Sequence, residues 1–74
     1  LPDLSNVDAI TFTSSSTVQN FRERYPHKIF GPVIACIGPI TAQTARETGL
    51  QVHIQPKQYT IPALVEALKE YFTN

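Results

Sequence analysis

Residues 35–45 read Ala-Cys-Ile-Gly-Pro-Ile-Thr-Ala-Gln-Thr-Ala, and this stretch decides the fold. It is the end of an apolar strand, a glycine turn and the first turns of a helix. Residues 33–37 have strand length and β-branched content. Gly38 admits a tight turn, or an approach to the backbone that a side chain would block. Pro39 presets φ and has no N–H to leave unpaired where a helix begins. Thr41 adds a hydroxyl, and Ala42 and Ala45 make a small, strongly helical face. Such a junction aims free backbone N–H groups at one point, which suits an anion.

Working outward, the same design recurs on both sides. Ala9, Ile10, Thr11 and Phe12 form a short strand, and the hydroxyl run Thr13, Ser14, Ser15, Ser16, Thr17 follows it with several N-cap candidates. Val18, Phe21 and Tyr25 then recur at i, i+3 and i+7 as the apolar stripe of a helix, which Pro26 ends. Arg22, Glu23 and Arg24 fall off that stripe and are expected in solvent. Downstream, the second helix runs from Thr41 to about Thr48, with Gly49 at its C′ position and Leu50 after it, a Schellman-type ending. Residues 52–54 (Val-His-Ile) read as a third strand. Thr60 caps a last helix with Pro62 in its first turn, and Ile61, Leu64, Leu68 and Tyr71 or Phe72 form its expected buried stripe. Residues 1–7 read as a surface lead-in.

The order is β-α-β-α-β-α, which implies an α/β fold with a parallel sheet, right-handed crossovers and three layers, as in flavodoxin-like proteins. All three strand–loop–helix junctions fall at the carboxyl edge of the sheet, where open α/β folds bind ligands. A three-stranded parallel sheet has two faces to cover, yet the first strand reads as buried while lying at an edge. Residues 1–74 are therefore expected to be one partial domain, completed by strands from elsewhere.

Composition narrows the chemistry. The chain has 74 residues, six Lys and Arg against six Asp and Glu, so no net field steers nucleic acid or an anionic membrane. The longest apolar run is far too short to span a bilayer, and no signal-peptide pattern opens the chain. The single cysteine, Cys36, sits inside an apolar strand as a small core residue, in keeping with a reducing, intracellular setting. His27 and His53 have no Cys, Asp or Glu at ligand spacing, so no metal site is proposed. The Gly38 turn is neither a GxGxxG nor a GK[ST] motif, which argues against nucleotide binding. No Ser-His-Asp or Cys-His arrangement and no carboxylate pair falls at the carboxyl edge. Thr13 to Thr17 serve either as helix caps alone or as an anion cradle, and Gly38 marks either a close-packed turn or a ligand approach. Tyr59 falls at the same edge.

The segment from Asp8 to Val18, Asp-Ala-Ile-Thr-Phe-Thr-Ser-Ser-Ser-Thr-Val, resembles the D-x-[IV]-x-F-T-S-[PS]-S-x-V segment of uroporphyrinogen-III synthases. Ile37 to Ala42 resembles their I-G-x-x-T-A segment. The stretch from Gly49 to Leu68 resembles their C-terminal strand and helix. The resemblance implies an enzyme, a hydro-lyase that closes hydroxymethylbilane into uroporphyrinogen III with inversion of ring D and loss of water. It implies no metal or organic cofactor, and a cytoplasmic or plastid-stromal location. It also implies a HemD-like fold of two α/β domains around a cleft, one of them discontinuous, with this chain as the later part of that domain. The remainder of the same enzyme would then be its partner, and the chain alone would lack a complete site. Carried over by position, Thr13, Ser14, Ser16, Gly38, Pro39, Thr41 and Tyr59 are substrate-binding residues, and Thr41 is the catalytic candidate. Ile40 stands where the family often has threonine, and Ser15 where it often has proline. The family's tyrosine for hydroxyl loss falls upstream of the matched region. The competing class is a non-catalytic flavodoxin-like or anion-binding α/β module, which calls for an acidic cluster or flavin-stacking aromatics that this carboxyl edge does not display.

Overall fold

The computed structural model describes Leu4 and residues 6–73. Part of the expected lead-in, Leu1, Pro2, Asp3 and Ser5, lies outside the described residues. The elements are β1 (Ala9–Phe12), α1 (Ser15–Arg24), β2 (Val33–Cys36), α2 (Pro39–Glu47) and α3 (Ile61–Thr73). β1 and β2 pair in parallel, Ala9 opposite Val33 through Phe12 opposite Cys36.

Strand alternation divides β2 between two layers. Ile34 and Cys36 face α1 and α2, where they pack with Phe12, Val18, Ala42, Ala45 and Leu50. Ala35, with Val33 and Ile37, faces the opposite side, where Ile54 and Leu64 cover it. The three-layer α/β expectation is met: two helices, a parallel sheet, then α3. Phe12 meets Phe21 edge-on at 5.3 Å, and Phe21 stacks on Tyr25 at 4.9 Å, so the stripe expected on α1 faces the sheet.

The expected third strand over residues 52–54 is reduced to one parallel bridge, Ile54 opposite Ala35. The Ile54 amide donates to the Ile34 carbonyl at 3.1 Å, and the Cys36 amide to the Ile54 carbonyl at 2.9 Å. Two residues stop the ladder there. Toward its start, the Ile34 amide, which a longer parallel ladder would send to the Val52 carbonyl, donates instead to Nδ1 of His53 at 2.9 Å. Toward its end, the next donor is residue 56, a proline with no N–H. Val52 consequently packs with the α1/α2 layer and Ile54 with the α3 layer, although residues two apart in a regular strand share a face.

α3 also departs from expectation. Thr60 caps it, its hydroxyl accepting from the Ala63 amide at 3.2 Å. Its buried line is Leu64 with Ala67 and Leu68, whereas Ile61, Tyr71 and Phe72 are 54%, 45% and 51% exposed. Among the described residues the support beneath it is β2 and the Ile54 bridge, too narrow to bury a full stripe. On the same side of the sheet, Thr11 of β1 is exposed.

Arg22 is not in solvent. It is half-buried, and its guanidinium donates to the carbonyls of Tyr25 (2.7 Å), His27 (2.8 Å) and Thr48 (3.0 Å). These carbonyls lie just past the ends of α1 and α2, where helix dipoles favour a cation. The end of α2 follows expectation. Gly49, at φ +93°, donates to Arg46, and Leu50 donates to Ala45, which together make a Schellman pair.

Candidate functional site at the carboxyl edge

The loops after β1 and β2 and the one before α3 gather at the carboxyl edge. The first is shaped by a capping box. Ser14, in extended backbone, accepts the Thr17 amide on its hydroxyl at 3.2 Å, and the Thr17 hydroxyl accepts the Ser14 amide at 3.3 Å. Ser14 and Ser16 hydroxyls lie 3.1 Å apart, so the polar run is internally bonded. Thr13 and Ser16 remain exposed and Ser14 is half-buried.

The second loop is built differently. Gly38 is the N-cap of α2 and, with no side chain, caps nothing; Pro39 follows at the first helical position. Gly38 sits at φ −157°, ordinary extended backbone, so glycine is not required there for its dihedral. What glycine provides is space: a Cβ at this position would lie 3.3 Å from Cγ and Cδ1 of Tyr59, a tight contact that the ring would have to ease by a few tenths of an ångström. The close approach expected at Gly38 is made by this ring. Tyr59 is itself 64% exposed, Pro39 is exposed, and Ile40 is 75% exposed.

Thr41 is 6% exposed and turns inward with Ala42 and Ala45. Among the described residues no buried side-chain nitrogen or oxygen lacks a hydrogen-bond partner. The structure thus brings Thr13, Ser14, Ser16, Pro39 and Tyr59 to one surface, with Gly38 beneath the Tyr59 ring and Thr41 set into the body of the domain.

Two contacts make the three loops one surface. Thr44 of α2 donates to the Ser15 hydroxyl of α1 at 2.9 Å, and the Tyr59 ring lies over Gly38. Sequence reasoning missed the first contact, because neither residue stands out from its helix. Gly38 itself was the available signal for the second.

The first two loops carry no formal charge, between residues 11 and 22 or between residues 37 and 45, and the third carries the exposed Lys57. Arg22, Arg24 and Arg46 lie in the last turns of their helices, toward the opposite edge. What the carboxyl edge offers a ligand is therefore hydroxyls, amides of two helix starts and an aromatic ring, a set suited to carboxylates without a cationic cluster. A hollow of about 330 Å³ lies at the opposite, amino edge, lined by Lys28, Phe30, Ile34, Leu50 and His53 among others. Among the described residues no group of His, Cys, Asp and Glu is placed to hold a metal ion. No helix among them is long and apolar enough to cross a membrane. Burial pushes the Cys36 thiol above its usual pKa, with the Arg46 charge opposing, so Cys36 is held as a neutral core group rather than a thiolate.

The family described as Uroporphyrinogen-III synthase HemD matches residues 2–66. The chain belongs to the uroporphyrinogen-III synthase family. It is 32% identical over 75 residues to a uroporphyrinogen-III synthase of Synechococcus elongatus, across 90% of this chain and 28% of that protein. It is 38% identical over 65 residues to a putative uroporphyrinogen-III synthase of Methanothermobacter thermautotrophicus, across 82% of this chain and 26% of that protein. No solved structure matches the chain. The chain thus spans little more than a quarter of the length of the curated relatives it matches. For a uroporphyrinogen-III synthase family member, the parallel sheet and its clustered carboxyl-edge loops are the features that bear on function.

Proposed function

We propose that this chain forms one wall of the active-site cleft of a uroporphyrinogen-III synthase, the enzyme that closes hydroxymethylbilane into uroporphyrinogen III with inversion of ring D and loss of water. The observation that carries this reading is the hydroxyl- and amide-rich carboxyl edge, assembled from three loops of which only the third, with Lys57, carries a formal charge, in a chain of this family. Such an edge holds carboxylates by helix-start amides and hydroxyls, and releases a flexible polycarboxylate more readily than a lysine cluster would. Its contribution is to fold the bilane so that its ends meet, which is a matter of orientation.

In this reading Thr13, Ser14, Ser16, Pro39 and Tyr59 contact the substrate, Gly38 shapes the second loop, and Thr41, although largely buried at the start of α2, donates from the 6% of its surface left open to a carboxylate or to the departing hydroxyl. The remainder of the same enzyme supplies the opposite wall and completes the sheet. Supporting this are the exposed Thr11 on the open side of β1 and the exposed apolar residues Ile61, Val65 and Phe72 along α3, a stripe at helical spacing. The proposed compartment is the cytoplasm, or the stroma in a photosynthetic eukaryote, where a free buried cysteine stays reduced.

The test is turnover of hydroxymethylbilane by the protein that carries this segment, with the products separated by isomer. Uroporphyrinogen III is expected; only the isomer without ring inversion would refute the reading. Thr41→Ala is expected to lower kcat/KM while Thr41→Ser retains most of it, and unchanged kcat/KM in both would remove Thr41 from any direct role. The 74-residue chain by itself is expected to give no turnover.

A further inference from the structure

We infer that Ser15 and Thr44 are positioning residues, a hydroxyl pair that sets the stagger of α1 against α2 and so the separation of the two loops that face the substrate. The inference rests on the proposed role of the carboxyl edge. Their hydroxyl oxygens are 2.9 Å apart across 29 positions of sequence, and both residues are half-buried. Neither hydroxyl is needed to start its own helix. α1 is already capped by Ser14 and Thr17, which leaves Ser15, its first residue, free for another task. Thr44 has a local acceptor in the Ile40 carbonyl at 3.2 Å, the usual back-bond of a helical threonine, yet the shorter distance is to Ser15.

Packing below the pair leaves a job for it. α1 and α2 contribute Val18, Ala42 and Ala45 to a cluster that also holds Phe12, Phe21 and Leu50, and these small helix side chains fix how far apart the helices lie. Two alanines offer little ridge to resist sliding along the helix axes, and the Arg22 guanidinium ties the helices at their far ends through the Thr48 carbonyl, which leaves the register near the loops to the hydroxyl pair. A slip of one residue moves a helix by about 1.5 Å along its axis. It would carry residues 38–41 that far from residues 13–16. A misplacement of about 1 Å is enough to lower rate by up to about a hundredfold when a reaction depends on holding one molecule at two places. The Ser15–Thr44 bond joins the first residue of α1, beside the first loop, to the sixth residue of α2, so it fixes the register of α2 against the start of α1.

The experiment compares Thr44→Val, Thr44→Ser, Ser15→Ala and the Ser15→Ala/Thr44→Val double variant in the complete enzyme, with kcat and KM for hydroxymethylbilane, thermal unfolding, and backbone amide shifts of residues 13–17 without substrate. Thr44→Val and Ser15→Ala are each expected to lower kcat/KM by about tenfold. Thr44→Ser should stay within about twofold, and the double variant should be no worse than either single, because one bond is lost in all three. The amide signals of residues 13–17 should move in Thr44→Val and not in Thr44→Ser. A Thr44→Val enzyme within about twofold of the parent, or a double variant as poor as the product of the singles, overturns the inference. So does a lowered unfolding temperature with kcat/KM unchanged, the mark of a purely structural bond. A parent that makes no inverted product refutes the proposed function instead. The amide shifts then decide the helix pin alone, and unmoved signals in Thr44→Val overturn it.

Discussion

Replacing Arg22 by alanine removes a cation from the ends of two helices at once. Its Nη1 donates to the Tyr25 and His27 carbonyls at 2.7 and 2.8 Å. Its Nη2 donates to Thr48 at 3.0 Å and Pro26 at 3.3 Å, and its Nε reaches Thr48 again at 3.2 Å. A hydrogen bond from a charged donor contributes roughly 1.5–3 kcal/mol, but these bonds share one side chain and the stripped carbonyls regain some water. Counting one full bond to each helix end gives a loss of about 3 kcal/mol, with the helix-dipole interaction included. A domain of this size has a total stability near the low end of roughly 5–15 kcal/mol, so more than half of it is at stake. With a urea m-value of about 1 kcal/mol/M, the unfolding midpoint followed by far-ultraviolet circular dichroism should fall by about 3 M. Arg22→Lys places one ammonium near one carbonyl group and should recover about a third of the loss. Arg24→Ala, two residues along the same helix and exposed, is the control and should stay within about 0.5 kcal/mol. An Arg22→Ala midpoint within about 0.5 M of the parent, or full recovery by lysine, would show that the guanidinium does not join the two helix ends.

His53→Ala strands the Ile34 amide in the core and should destabilise by about 1–2 kcal/mol, with faster hydrogen exchange at Ile34; His53→Asn, whose carbonyl oxygen sits near the place of Nδ1, should restore protection. Gly38→Ala puts a methyl 3.3 Å from the Tyr59 ring without backbone strain, and should cost about 1 kcal/mol in urea unfolding that Tyr59→Ala in the same chain removes. Cys36 should resist thiol reagents at neutral pH while the protein is folded, and react on unfolding. Because burial raises its folded pKa above the unfolded value of about 8.5, the unfolded chain ionises first. Stability should therefore be constant below that pH and fall above it, a fall absent in Cys36→Ala.

Most of the element order is legible in the chain because its signals are local. The hydroxyl run before Val18, Pro39 after Gly38, Gly49 before Leu50 and Thr60 before Pro62 each place a helix end by chemistry within a few residues. The α/β class follows from the alternation of these elements, and the candidate loops follow from the class. The motif resemblance reached the family for the same reason, since it rests on short contiguous stretches. Even the truncation of the third strand was half visible, in Pro56.

The departures share one cause, that each depends on a partner distant in sequence. Arg22 looks like a solvated residue beside Glu23 and Arg24 until α2 brings the Thr48 carbonyl to it. His53 looks like a strand residue until its ring takes the Ile34 amide. Ile61 and Phe72 look like core on a helical wheel, but burial needs a surface to meet, and among the described residues β2 and Ile54 are what lies beneath α3. Thr41 looks like an open hydroxyl beside a glycine turn, yet the roll of α2 against the sheet turns it inward. The sequence by itself determined where the helices and the first two strands begin and end, to within a residue or two, and which loops share an edge, because backbone dihedrals and caps are set by near neighbours. Only the tertiary structure decided which of those loop residues face outward and which charges are clamped, because burial and long hydrogen bonds are properties of pairs that the chain order does not bring together.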